Sequence, residues 1–292
     1  MAVAELKDVF DEDLALKHRD SAVVGLDIGS RGTKAVVFYG GRLYYGVTVS
    51  GISSQETGES LINELLAEAG IGWESVEYLV GTGYGRVALE FTQVPVKVVT
   101  EISCHGMGAH YLNRDVRTII DIGGQDSKAI KIDADNGKVV DFIMNDKCAA
   151  GTGRFLEKVA QILELELDEL GEYAVRSKRP CDISSQCVVF AESEVISLKA
   201  KGYRKEAIAA GIHFATARRV KNLLKRTGFE DTLLFTGGVS NNQGMVKALE
   251  ETIGKTIGDT RLDAMYAGAI GAAVFAAEYA RELTESYGGQ LQ

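Results

Sequence analysis

Two rhythms of apolar residues alternate along the chain. Short runs at Ala22–Ile28, Ala35–Phe38, Arg42–Val49, Val76–Val80, Val96–Val99 and Thr232–Phe235 are rich in β-branched and aromatic residues and predict strands. Apolar side chains three or four apart predict helices over Thr57–Ala69, Glu101–Leu112, Phe155–Leu163, Leu167–Arg176, Val188–Lys199, Lys205–Arg226, Gly244–Glu251 and Ala264–Leu283. Strands mixed with helices in this way predict an α/β fold. Gly40-Gly41 and Asp135-Asn136-Gly137 predict hairpin turns, the second inside the stretch Ala129–Met144. In the last helix, the small residues of Tyr266–Ala273 predict close backbone packing. Residues 1–20 read as an extension, with a slight helical pattern at Val9, Phe10, Leu14, Ala15 and Leu16.

One stretch occurs twice. Leu26–Ala35 and Ile120–Ala129 both read Asp-Ile-Gly, three residues, Ser or Thr, Lys, Ala, and 94 residues separate Asp27 from Asp121 without a gap. Each copy ends a buried strand and leads into another strand and a hairpin turn. A repeat of this length is too long for a solenoid and predicts two similar α/β domains. The expected division is an extension at 1–20, a first domain of residues 21–116 plus 262–292, and a second of residues 117–261.

A third glycine turn, Thr236–Asn242, follows the strand at Thr232–Phe235. Strand-to-glycine turns suit phosphates, because glycine lets backbone N–H groups approach oxyanions and a strand-end aspartate can hold a metal through water. The chain has no P-loop: Leu249 stands where the first glycine before Gly254-Lys255-Thr256 would belong. Gly81–Gly85 lacks the spacing of a dinucleotide fingerprint.

Composition narrows the classes of partner. The 292 residues carry 41 acidic and 32 basic side chains, a net charge of −9, so nucleic acid or an anionic membrane would need a local basic patch. The longest such run is Lys199–Lys205, read as a solvated helix end. No apolar run reaches the roughly 18 residues of a membrane span, and Met1–Asp20 lacks the pattern of a signal peptide. The expectation is a cytoplasmic protein with no nucleic acid or membrane partner.

Four cysteines, Cys104, Cys148, Cys181 and Cys187, show no C-x-x-C spacing. Without an export signal they point to metal, redox or core roles rather than disulfides. The most distinctive is in Asn145–Phe155, N-D-K-C-A-A-G-T-G-R-F, where Cys148 precedes the apolar-periodic run beginning at Phe155. A helix start presents unpaired N–H groups and partial positive charge to a thiolate or an anionic cluster. A buried cysteine at a helix start accounts for this segment equally well.

The Asp-Ile-Gly turns and Thr236-Gly237-Gly238 resemble the actin/hexokinase/Hsp70 ATPase superfamily, a duplicated fold in which two domains flank a cleft for Mg-ATP. Gly81–Arg86, Glu101–His105, Asp121–Lys128, Asn145–Phe155, Ser184–Ser197 and Thr236–Val239 together are similar to the activator ATPases of 2-hydroxyacyl-CoA dehydratases and the ATPase subunits of benzoyl-CoA reductases. That resemblance covers roughly residues 22–280. It implies a homodimer, or a pair of paralogous subunits, with one [4Fe–4S] cluster per dimer. Such a dimer uses ATP to pass an electron from ferredoxin or flavodoxin to an acyl-CoA dehydratase or reductase.

The same resemblance implies Cys148 and Cys187 as cluster ligands and Asp27, Asp121 and Gln125 as catalytic. It further implies that Ser30, Arg31, Lys34, Gly123, Gly124 and Lys128 contact phosphate and Mg²⁺, with Gly237 and Gly238 at the nucleotide. Arg31 departs from the Thr that such loops often carry. Cys181 is read as incidental and Cys104 as core.

Two rivals share the nucleotide turns. A small-molecule kinase of the same fold would need a carboxylate base, for which Glu101 and Asp146 are candidates. A nucleotide-dependent binding switch would need no redox centre. Both leave Cys148 and Cys187 without a task.

Overall fold

The structure is a computed structural model that describes residues 1–10, 21–145, 147–184 and 187–288. Asp146, the Ser185-Gln186 pair before Cys187, and Leu14, Ala15 and Leu16 of the N-terminal pattern lie outside the described residues. The chain divides into two compact units. Unit 1 comprises residues 1–115, 133–139 and 260–292, and unit 2 comprises residues 116–132 and 140–259.

In chain order the elements are β1 (Ala2–Glu5), α1 (Leu6–Val9), β2 (Ala22–Ile28), β3 (Gly32–Tyr39), β4 (Arg42–Val49), α2 (Ser54–Ala69), β5 (Val76–Gly83), β6 (Val96–Val98) and α3 (Glu101–Leu112). There follow β7 (Thr118–Ile122), β8 (Ser127–Ile132), β9 (Val139–Asn145), α4 (Gly153–Leu163), α5 (Leu167–Arg176), α6 (Val188–Ala200), α7 (Lys205–Thr227), β10 (Leu233–Thr236), α8 (Gln243–Ile253) and α9 (Ala267–Gly288).

Unit 1 is built on a six-stranded sheet in the order β1-β4-β3-β2-β5-β6. β2 runs antiparallel to β3 and parallel to β5. All seven residues of β2 are buried, because helices cover both faces. Leu61, Ile62 and Leu65 of α2 pack with Val24, Leu26 and Ile28 on one side, and α3 and α9 pack with Val23, Val36 and Val80 on the other. A continuous apolar run is what a doubly covered strand requires. The small residues of α9 bring its backbone onto the sheet and onto α3. A Cβ built on Gly25 would lie 2.1 Å from Ala269 O, and one on Gly271 would lie 1.9 Å from Cys104 O.

The N-terminus adds an element that the sequence pattern does not predict. Residues 2–5 form an edge strand, antiparallel to β4 with Ala2 opposite Tyr45, and the helix that follows has a single turn. Ladder hydrogen bonds from an exposed edge decide this, and a four-residue strand carries too short a pattern to announce it. Leu6, Val9 and Phe10 are buried. Phe10 meets Phe38 and Tyr111 edge-on, both at 5.9 Å between centroids.

Unit 2 has a four-stranded sheet in the order β10-β7-β8-β9, with β7 parallel to β10 and antiparallel to β8. Its core joins Ile120 and Ile122 of β7 to Phe155, Val159 and Leu163 of α4, Leu224 of α7 and Phe235 of β10. The i, i+4, i+8 spacing of those three α4 residues is what turns one helix face to the core. Among the described residues no helix is long and apolar enough to cross a membrane.

Candidate functional site

In unit 1, Asp27 ends β2 and is buried. The turn after it closes through Gly29 N–H donating to Gly32 O at 3.2 Å. Lys34 Nζ lies 3.6 Å from Asp27 Oδ2. Ser30 is half-buried on the turn and Arg31 is exposed. Gly83, at the end of the parallel neighbour β5, has φ +85°, and a Cβ there would fall 2.5 Å from Asp27 Oδ1. Glycine is needed at that position both for its backbone conformation and for its closeness to the carboxylate. Gly268 borders the other oxygen: a Cβ there would meet Asp27 Oδ2 at 2.8 Å and His105 Nε2 at 2.9 Å.

Unit 2 repeats this arrangement on its own strands. Asp121 ends β7, and Gly123 N–H donates to Asp126 O at 3.0 Å, the same closure 94 positions later. Lys128 Nζ donates to Asp121 Oδ2 at 3.0 Å and to Asp126 Oδ1 at 2.7 Å. Thr236, at the end of the parallel neighbour β10, donates its hydroxyl to Asp121 Oδ1 at 3.1 Å. Gly237 has φ +89°, and its Cβ would lie 2.7 Å from Asp121 Oδ1. Gly123 and Gly124 are half-buried, and Gln125 and Gly238 are exposed. A cavity of about 330 Å³ opens beside Gly238, lined also by Gly153 and Leu156 of α4, Leu167 and Gly171 of α5, and Asn241.

The internal repeat is therefore larger than the Asp-Ile-Gly motif. Gly83 and Gly237 approach their respective aspartates in the same way, each at the end of the strand parallel to the aspartate's own, whereas the threonines differ: Thr236 donates to Asp121, and the Thr82 hydroxyl donates to Val99 O at 2.9 Å. A shared Thr-Gly after an apolar run was the available signal, but the gap between the copies differs from 94 residues.

The loop before α4 is closed on itself. Asn145 Nδ2 donates to Cys148 O at 2.9 Å, and the Thr152 hydroxyl donates to Ala149 O at 2.6 Å. The expected presentation of α4's N–H groups to the thiol does not occur at its first two residues. Gly153 N–H donates to Gly123 O and Arg154 N–H to Gly124 O, both at 2.9 Å. The aspartate turn of unit 2 thus holds the helix start that follows Cys148.

Cys187 is the N-cap residue of α6, and Ser184 N–H donates to Glu194 Oε1 of that helix at 3.2 Å. Cys148 and Cys187 are both exposed. Arg219 is half-buried: burial lowers its guanidinium from its ordinary value, and the nearby Cys148 and Cys187 oppose that shift. Arg219 also lies under the loop, its Cδ 3.6 Å from a Cβ built on Gly151. Arg219 is a side chain that the sequence pattern leaves unmarked.

The remaining cysteines differ. Cys181 is half-buried. Cys104 is fully buried in unit 1, and its thiol is pushed up to about 12, chiefly by burial and further by Asp27 and Glu101, against the Thr82 hydroxyl and Arg86. At pH 8 a thiol of that pKa is thiolate in only about one molecule in 10⁴. Iodoacetamide on folded, cluster-free protein is therefore expected to label Cys148 and Cys187 quickly and Cys104 not at all, as read by peptide mass spectrometry. Labelling of Cys104 at the rate of Cys148 would contradict the burial described for unit 1.

The sequence profile of the BadF/BadG/BcrA/BcrD ATPase family matches residues 24–276. The chain belongs to that family. Members include the 2-hydroxyisocaproyl-CoA dehydratase activator of Clostridioides difficile, 42% identical over 231 residues, 79% of this chain and 85% of the relative. The (R)-2-hydroxyglutaryl-CoA dehydratase activating ATPase of Acidaminococcus fermentans is 43% identical over 232 residues, 79% of this chain and 88% of the relative. The fold is that of the family's solved activators. The activator of the 2-hydroxyisocaproyl-CoA dehydratase from Clostridium difficile with bound ADPNP superposes with a TM-score of 0.83 at 39% identity. That match covers 91% of this chain and 97% of the activator. The duplicated aspartate turns are the feature of this family ATPase that the sequence announces most directly.

Proposed function

We propose that the chain is an ATP-driven electron-transfer activator working as a dimer of like or paralogous chains with one [4Fe–4S] cluster between them. It takes an electron from ferredoxin or flavodoxin and delivers it at low potential to an acyl-CoA dehydratase or reductase. The names of the relatives support the partner class. Cys148 and Cys187 of each chain are the cluster ligands, and the donor set fits: two exposed thiols per chain act on one half-buried arginine. When bound, the cluster supplies a one-electron, low-potential redox centre.

The chain's own residues handle the nucleotide. Asp27 and Asp121 would hold Mg²⁺, which would neutralise and orient the phosphates. Ser30, Arg31, Gly123 and Gly124 face phosphate, and Gln125, exposed on its turn, orients the attacking water. Lys34 and Lys128 hold the two carboxylates in place. Gly237 and Gly238 would lie against adenosine, with the 330 Å³ cavity beside Gly238 open to its ring.

One observation carries the reading: the carbonyls of Gly123 and Gly124 accept the first N–H groups of α4, five residues beyond Cys148. A change at the phosphate turn reaches the thiol loop through two hydrogen bonds and one helix end. Coupling of this kind requires different contacts in each nucleotide state. The kinase reading gives neither this connection nor the exposed cysteine pair a task.

Anaerobically prepared protein is expected to hold about two iron atoms per chain. A chelator such as bathophenanthroline should then strip them at different rates with ADP and with ADPNP. Iron-free protein that still hydrolyses ATP would favour the kinase. Equal stripping rates would break the proposed link between α4 and the cluster.

A further inference from the structure

Unit 2 carries a groove that neither the nucleotide turns nor the thiol loops use. Its volume is about 820 Å³, and Arg176, Lys178, Arg179, Lys201 and Arg204 line it against one acid, Glu206. Two stretches more than twenty residues apart are brought together here: the end of α5 with the loop after it, and the turn between α6 and α7. The sequence run Lys199–Lys205 is therefore half of a patch rather than an isolated helix end. Arg176 pairs with Glu172, and Arg204 with Glu206, each at 3.0 Å. Lys178, Arg179 and Lys201 have no ion-pair partner among the described residues. On a chain of net charge −9 this is a concentrated reversal of sign.

The groove has a fixed wall. Cys181 N–H donates to Ala207 O at 2.9 Å, and Arg218 Nη2 donates to Ile183 O at 2.9 Å, so the loop is tied to α7 at two points. Cys181 lines the groove, and six residues later the same segment reaches Cys187. Six residues span at most about 20 Å.

The cations are highly exposed: the side chains of Arg176 and Arg204 stand at 59% and 82%. A site built for a small phosphorylated molecule would bury part of its cations. Exposed charge on a rim instead acts at long range, steering an oppositely charged macromolecule and setting its orientation.

We infer that this groove docks an acidic one-electron carrier protein, with the carrier's prosthetic group turned towards Cys187. The inference rests on the electron-transfer reading and adds the surface by which the donor is recognised.

The test is a binding titration of cluster-containing protein with a bacterial ferredoxin at several salt concentrations. Beside it stands a variant carrying Lys178→Glu, Arg179→Glu and Lys201→Glu. Wild type should bind with a steep salt dependence. The variant should bind at least about tenfold more weakly with a flattened slope, while iron content and ATP hydrolysis stay at wild-type values. Equal affinity and slope in the two proteins would overturn the inference. So would tight binding of inorganic pyrophosphate, lost in the variant, with no carrier bound by the wild type. Absence of iron from the wild type is read on the same samples and would instead defeat the electron-transfer reading, leaving the titration to judge the groove.

Discussion

Serine in place of Cys148 or Cys187 is expected to bring iron from about two atoms per chain to nearly none, whereas serine at Cys104 or Cys181 should leave it unchanged. The reason lies in where the four thiols stand. Cys104 is sealed in unit 1, its carbonyl only 1.9 Å from where a Cβ on Gly271 would be, so no iron can approach it. Cys181 faces the basic groove, its backbone pinned to Ala207. Cys148 and Cys187 are exposed, the first in the loop that Asn145 closes and the second at the N-cap of α6, and both act on Arg219.

On the proposed four-thiolate set, two thiols per chain would leave the other two to a second chain. The half-buried Arg219 would offset part of the negative charge gathered there, a task that the α4 helix end cannot perform while Gly123 and Gly124 occupy its first N–H groups. Iron analysis of the four single variants, prepared anaerobically, decides the matter. Four iron atoms per wild-type chain, or iron loss in Cys181→Ser, would sink the shared cluster.

How much of this was legible in the sequence depended on the range of the interaction. β2 and α4 were readable because their burial is written in local patterns: an unbroken apolar run for a doubly covered strand, and i, i+4, i+8 spacing for one buried helix face. The Asp-Ile-Gly turns were readable because the whole device is contiguous. The glycine closures were not, because Gly83 and Gly237 reach their aspartates across a parallel pairing whose register no local pattern encodes. The edge strand at Ala2–Glu5 depended on an unpaired β4, and the basic groove on two remote segments meeting at the start of α7. The destination of α4's first N–H groups was mistaken for a related reason. Helix ends always need acceptors, and the sequence does not say which carbonyl arrives first.

Asp121→Asn is expected to lower Mg-dependent ATP hydrolysis by about 10²–10³, the range seen when one preorganised electrostatic contact is removed. The variant keeps its shape. An amide oxygen can still accept from Lys128 Nζ, and the amide NH₂ can turn to the Thr236 hydroxyl. What it loses is charge. Lys128 is 1% exposed and would then be balanced by Asp126, which lies nearer the surface. Breaking a buried pair outright costs about 3–5 kcal/mol, and Asp126 softens that, so a fall in Tm of about 5 °C is expected. Asp27→Asn separates the two effects. Its lysine stands 3.6 Å away rather than 3.0 Å, so Tm should fall less while turnover falls as far. Both variants are to be assayed well below their Tm with Mg²⁺ titrated at fixed ATP, and the apparent Mg²⁺ requirement should rise in each. Wild-type turnover with an unchanged Mg²⁺ requirement in Asp121→Asn would remove this carboxylate from the nucleotide chemistry and leave it a purely structural partner of Lys128.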